Sequence, residues 1–82
     1  MAKRDKQLER IKQQPTNVRF ATLDRLLRRY GFTVRHPASG SSHYTVKRGR
    51  LTLTIPKHDP VREVYVKKAL RMIDEVRHEE EA

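Results

Sequence analysis

The chain has 82 residues, 35% of them hydrophobic and 35% charged, and a formal net charge of +9. A chain this short forms one domain at most and buries only about 60–65% of the surface it exposes unfolded, which excludes a deep pocket or a second lobe. It contains no cysteine, so disulfides, thiolate chemistry and zinc sites built on cysteine pairs are excluded too.

The charge is unevenly spread. Residues 1–58 carry 14 Lys/Arg against 3 Asp/Glu, a net of +11, whereas residues 59–82 carry 5 against 7, a net of −2. A basic body with a mildly acidic tail suits a polyanion partner: nucleic acid, an acidic protein or an anionic surface. Apolar runs never exceed three residues, too short for a transmembrane helix. The opening "MAKRDKQLERIK" has no apolar stretch of the kind a secretory signal needs. The expectation is a soluble, cytoplasmic protein with no membrane partner.

In chain order, "KRDKQLERIKQQ" at 3–14 is rich in helix formers and ends before Pro15. Its large apolar residues, Leu8 and Ile11, are three apart. This predicts a short helix that docks on the fold but would not stand alone. Phe20, Leu23, Leu26, Leu27 and Tyr30 then recur at the helical period, with Gly31 placed for a left-handed C-cap. The opposite side of that helix carries Arg19, Arg25, Arg28 and Arg29.

After Gly31 the period changes to two. "FTVRH" alternates Phe32 and Val34 with Thr33 and Arg35, and Pro37 with Gly40 marks a turn. "SHYTVK" sets Tyr44 and Val46 against His43, Thr45 and Lys47. Arg48–Gly49 reads as a tight hairpin connection. "RLTLTI" follows, with Leu51, Leu53 and Ile55 toward the core, and Pro56 ends the third strand. In "PKHDP", Asp59 is the expected N-cap and Pro60 the first residue of a last helix running from about Val61 to Arg77. Its expected buried face is Val61, Val64, Tyr65, Ala69, Met72, Ile73 and Val76.

The pattern therefore predicts an α+β fold. Three antiparallel strands have one apolar face covered by the two longer helices, and a short N-terminal helix is added. The division is 1–16 for the basic helical extension, 17–78 for the α-β-β-β-α domain and 79–82 for an acidic tail expected to fray. The uncovered sheet face would carry Thr33, Arg35, His43, Thr45, Lys47, Thr52 and Thr54.

Arg35, Lys47, Arg48, Arg50 and Lys57 form a rim suited to phosphates. Aromatic residues are too few on that face for single-strand base stacking. His43 reads in two ways. It is an ordinary half-exposed strand residue, or a general base that takes the proton of a ribose 2′-hydroxyl beside cations that stabilise the attacked phosphate. His36, His43 and His58 lack the carboxylates that would complete a metal site, so no metal and no cofactor is expected.

The stretch from Asn17 to Ile73 resembles the HicA (YcfA-like) toxins of prokaryotic HicA–HicB toxin–antitoxin systems. The resemblance rests on Leu26, Leu27, Gly31 and Phe32 at a helix end, on the Gly40-Ser41-Ser42-His43-Tyr44 entry to the second strand, on the "TIPKH" strand end and on the amphipathic last helix. A lead-in from Pro15 to Phe20, "P-x-N-V-x-F", matches as well. The resemblance implies a fold like the double-stranded-RNA-binding domain and ribosome-independent mRNA cleavage without metal by a single histidine, at the position of His43. It also implies a HicB-type antitoxin as partner and a toxin that is monomeric when free. Arg35, Ser42, Lys47, Arg48, Arg50, Lys57 and His58 are the expected RNA-binding residues. A noncatalytic RNA-binding module on the same fold is the alternative reading.

Overall fold

The computed structural model describes residues 5–36 and 43–81. Expectations for residues 1–4, the 37–42 turn with Ser42, and Ala82 lie outside them. The element order is α1 (Lys6–Gln13), α2 (Phe20–Arg29), β1 (Thr33–Arg35), β2 (His43–Arg48), β3 (Leu51–Pro56) and α3 (Glu63–Glu81). The strands form one antiparallel sheet in the order β1-β2-β3. This is the predicted α+β architecture, with the helices on the apolar face of the sheet. No helix among the described residues is long and apolar enough to cross a membrane.

Each element forms for a local reason. In α2, Leu23, Leu26 and Leu27 are fully buried, as the 3.6-residue period requires. The helix ends as expected at Gly31, whose φ is +84°. Gly31 N–H bonds Arg28 O and Phe32 N–H bonds Leu27 O, the paired bonds of a Schellman end. In the sheet, Val34, Tyr44, Val46 and Ile55 turn toward the helices and are buried. Phe20 stacks on Tyr44 with ring centroids 3.9 Å apart.

The hairpin turn falls one residue later than predicted. Arg48 pairs with Leu51, so the two-residue connection is Gly49–Arg50, with Gly49 at φ +57°. Facing Tyr44 with Ile55 and Val46 with Leu53 is the register that keeps apolar side chains together, and it fixes the turn.

The last helix differs more from expectation. It begins at Glu63, and Val61 instead bonds Val18 O across a β-bridge to the lead-in of α2. Asp59 does cap a helix, but a different one: its Oδ1 accepts from Phe20 N–H at 3.1 Å, at an α2 end that has no side-chain cap of its own. The buried face of α3 is Val66, Ala69, Leu70, Ile73 and Val76, with Tyr65 and Met72 at its margin. Val64 is 52% exposed, because it lies two residues, or roughly 200° of turn, from Val66. Two overlapping 3/4 stripes were written into this segment, and docking on the core selected one. The acidic end, expected to fray, continues the helix to Glu81. Glu79 lies 3.8 Å from Arg50 and Glu80 4.0 Å from Arg48; exposed pairs of this kind add little stability.

The helix α1 docks as predicted, with Leu8 and Ile11 buried. Its anchor is Asp5, whose side chain is only 13% exposed. The carboxylate caps α1 by accepting from Leu8 N–H. It also accepts from the Arg29 guanidinium at 2.8 Å and from the Tyr30 hydroxyl at 2.6 Å, both at the far end of α2. Burial alone would raise the Asp5 pKa. The donors Tyr30, Leu8 and Arg29 outweigh burial and hold it below the ordinary carboxylate value. Burial and the Asp5 charge together push the Tyr30 phenol up to about 12.

These ties yield two predictions. Asp5→Asn should cost about 2 kcal/mol in urea unfolding. It should also return one of the three tyrosines toward an ordinary phenol pKa in a phenolate absorbance titration. In the wild type, the Asp5 contribution is complete above the unfolded carboxylate pKa and fades as pH falls through the lower folded value. The Tyr30 contribution is complete below the ordinary phenol pKa and fades as pH rises toward 12. Asp59→Ala should cost about 1 kcal/mol, the value of a helix N-cap. A loss no larger than for Glu75→Ala, a solvent-facing control on α3, would remove Asp59 from the capping role.

Candidate nucleic-acid interface

The uncovered sheet face is built by β2. As the middle strand it bonds neighbours on both sides, and its side chains alternate strictly. Tyr44 and Val46 go inward, while His43, Thr45 and Lys47 go outward. The register then assembles the face: Lys47 between Thr33 and Thr52, Thr45 between Arg35 and Thr54, and His43 opposite Pro56. All seven residues predicted for this face lie on it, with Thr45 half-buried and the rest exposed.

The register also ranks the cations around His43. Arg35 faces Thr45, which makes it the diagonal neighbour of His43, a position about 7–8 Å away in an antiparallel pair. Lys47 is four residues along the same strand, about 13 Å away. Lys57 is exposed and follows Pro56, the residue paired with His43. The register thus makes Arg35 the cation beside the histidine on the open face, with Lys47 extending the track toward the hairpin turn and Lys57 just past the β3 end that pairs with His43.

Two predicted RNA-binding residues are placed elsewhere. Arg48 turns to the helix side of the sheet, where its guanidinium donates to Tyr30 O at the C-terminal end of α2. A Cβ on Gly31 would come within 3.3 Å of that guanidinium, so the glycine serves both its own φ and the approach of Arg48. Arg50 is in the turn, at the opposite end of the hairpin from His43 and roughly 17 Å along it. Arg48 is a fold residue, and Arg50 belongs to a separate patch with Glu79.

His58 is at the histidine end of the sheet but is held by its own loop. Its Nδ1 lies 2.7 Å from Pro60 O. A carbonyl only accepts, so Nδ1 carries the proton and Nε2 is left as the acceptor in the neutral ring. His36 lies on the other side of the sheet from His43. It makes edge contacts with Tyr44 at 5.1 Å and Phe20 at 6.4 Å. Of the three histidines near the sheet, only His43 stands on the open cationic face.

Two arginines with defined work escaped the sequence reading. Arg28 bridges Asp24 and the Val34 carbonyl, and Arg29 holds Asp5. Helical spacing placed both on a solvent face, and the i, i+4 step from Asp24 to Arg28 was the one available signal. Chemically, the face offers an imidazole with a guanidinium at diagonal distance, a lysine beyond and hydroxyls between them. It can meet a phosphodiester by charge, with a base placed beside it. Comparison of the chain with protein-family models, with curated proteins and with solved structures finds no match.

Proposed function

We propose that the chain is an RNA-cleaving toxin of the HicA type, a metal-independent endoribonuclease that acts on mRNA in the cytoplasm and is neutralised by a HicB-type antitoxin. One observation carries this reading: His43 stands on the exposed cationic sheet face with Arg35 as its diagonal neighbour. The motif order from Leu26 to Ile73, and the net +11 of residues 1–58, support it further.

In the proposed reaction the neutral imidazole of His43 takes the proton of a ribose 2′-hydroxyl. The 2′-oxygen bonds the adjacent phosphorus, and the bond to the 5′-oxygen breaks. That oxygen leaves with a proton returned from the imidazolium or from water. The products are a 2′,3′-cyclic phosphate and a 5′-hydroxyl end. Arg35 stabilises the charge that grows on the phosphoryl oxygens, while Lys47, further along β2, and Lys57, past the end of β3, meet neighbouring phosphates of the RNA. His58, with Nε2 as its free-lone-pair nitrogen, and Lys57 border the same end of the face.

His43→Ala should lower cleavage of mRNA in EDTA by about 10²–10⁴-fold, with an unchanged far-ultraviolet dichroism spectrum. Equal cleavage by both proteins would remove His43 from the chemistry. RNA binding without cleavage by the wild type would leave the noncatalytic module as the function. Arg35→Ala and Lys47→Ala should each weaken RNA binding and reduce the salt slope by about one ion. Arg48→Ala should instead lower the unfolding midpoint and leave that slope unchanged. A slope reduced by about one ion in Arg48→Ala would place its guanidinium on RNA after all.

A further inference from the structure

The two edges of the sheet are finished differently. The β1 edge is three residues long, and the Arg28 guanidinium donates to the Val34 carbonyl at 3.1 Å. That bond occupies the central acceptor of the edge. It also fixes the phase of the whole sheet, because it means that Val34 O points away from β2. In an antiparallel ladder, residues alternate between bonding one neighbour and the other. Thr33 and Arg35 therefore bond β2 through Lys47 and Thr45, whereas Tyr44, Val46 and Arg48 bond β3 through Ile55, Leu53 and Leu51. The two-residue turn closed by Arg48 and Leu51 agrees with this phase.

What remains points outward from β3: the N–H and C=O of Thr52 and of Thr54, followed by the carbonyl of Pro56. No other described segment bonds these groups. Pro56 has no N–H to offer, so the open stretch is bounded there. The β3 edge is six residues long and unbroken, and Leu51 and Leu53 on its helix side are only half-buried. A groove lined by Arg50, Leu51, Val76 and Glu79 continues it beside the hairpin turn. Natural sheets blunt such edges unless they pair with something.

We infer that the β3 edge receives an extended strand from a protein partner, and that this strand alternates apolar and acidic residues. The ladder of peptide groups at Thr52 and Thr54 selects a polypeptide backbone over a nucleic acid. Residues of the incoming strand that pair with Thr52 and Thr54 turn to the open face, beside the Lys47 row, where carboxylates fit. Their neighbours turn to the helix side, against the uncovered flanks of Leu51 and Leu53. Arg50 and Lys57 bracket the edge. They disfavour a second copy of this chain, since antiparallel self-pairing of β3 would bring Arg50 of one chain beside Lys57 of the other and unite two +9 molecules. This inference uses neither RNA nor His43.

The test is amide exchange by NMR on the full chain, free and with an end-blocked peptide alternating valine and glutamate. A valine–lysine peptide of equal length is the charge control. In the free protein the Thr52 and Thr54 amides should exchange rapidly while those of Leu53 and Ile55 are protected. The valine–glutamate peptide should slow Thr52 and Thr54 at least about tenfold, the valine–lysine peptide should not, and Thr52→Pro should weaken binding about tenfold, as loss of an edge hydrogen bond with steric blockage requires. If dichroism shows Thr52→Pro to be unfolded, the wild-type exchange pattern decides alone. Protection of Thr52 and Thr54 in the free monomer would overturn the inference, as would equal slowing by both peptides or none by either. Protection that grows with the concentration of the chain itself would assign the edge to a second copy.

Discussion

The phase of β2 is the constraint on which the rest of the structure depends. Among the described residues it is the one strand with neighbours on both sides, so its alternation sets theirs. Tyr44, stacked on Phe20, and Val46, fully buried, hold that phase. A slip of one residue would expose both and drive Lys47 into the apolar layer without a partner, at a cost of several kcal/mol. His43, Thr45 and Lys47 are therefore presented to solvent because their neighbours cannot be. The candidate chemistry and the core are two readings of one six-residue strand.

A second principle is how the cations are distributed. The net charge of +9 suggests a molecule coated with phosphate-binding groups, but several arginines are engaged in holding the fold. Arg28 blunts the β1 edge, Arg29 anchors the α1 cap through Asp5, and Arg48 ends α2. Arg28 and Arg48 satisfy backbone carbonyls, and Arg29 adds a charged donor to a carboxylate that Leu8 N–H and Tyr30 already hold. The cations left to the open face are fewer: Arg35, diagonal to His43, and Lys47, further along β2. Position, more than total charge, gives that face its character.

The same economy appears at the loop from Lys57 to Arg62. Asp59 caps α2, Val61 bonds Val18, and His58 closes on Pro60. These contacts pin the chain that leaves β3 against the lead-in of α2, some forty residues earlier. The loop thus fixes the position of Lys57 beside the histidine end of the sheet. A strand added at the β3 edge would border this end of the open face without crossing it, leaving the proposed RNA track and the proposed docking edge as adjacent but separate surfaces.

The sequence by itself determined the element order, the α+β class, the C-cap at Gly31 and the side of the sheet on which His43 stands. All of these follow from local signals: a period of 3.6 or 2, and the conformational freedom of glycine. Tertiary structure decided what periodicity could not carry. It chose Val66 and Leu70 over Val64 in a helix with two overlapping stripes, gave Asp59 to a helix thirty-nine residues away in place of its neighbour, and withdrew Arg48 from the cationic face. In each case the deciding contact joins residues far apart in the chain, and an apolar stripe or a lone charge has no local mark of which distant group will meet it. Only the packed arrangement, where every buried donor and acceptor must find a partner at once, makes that choice.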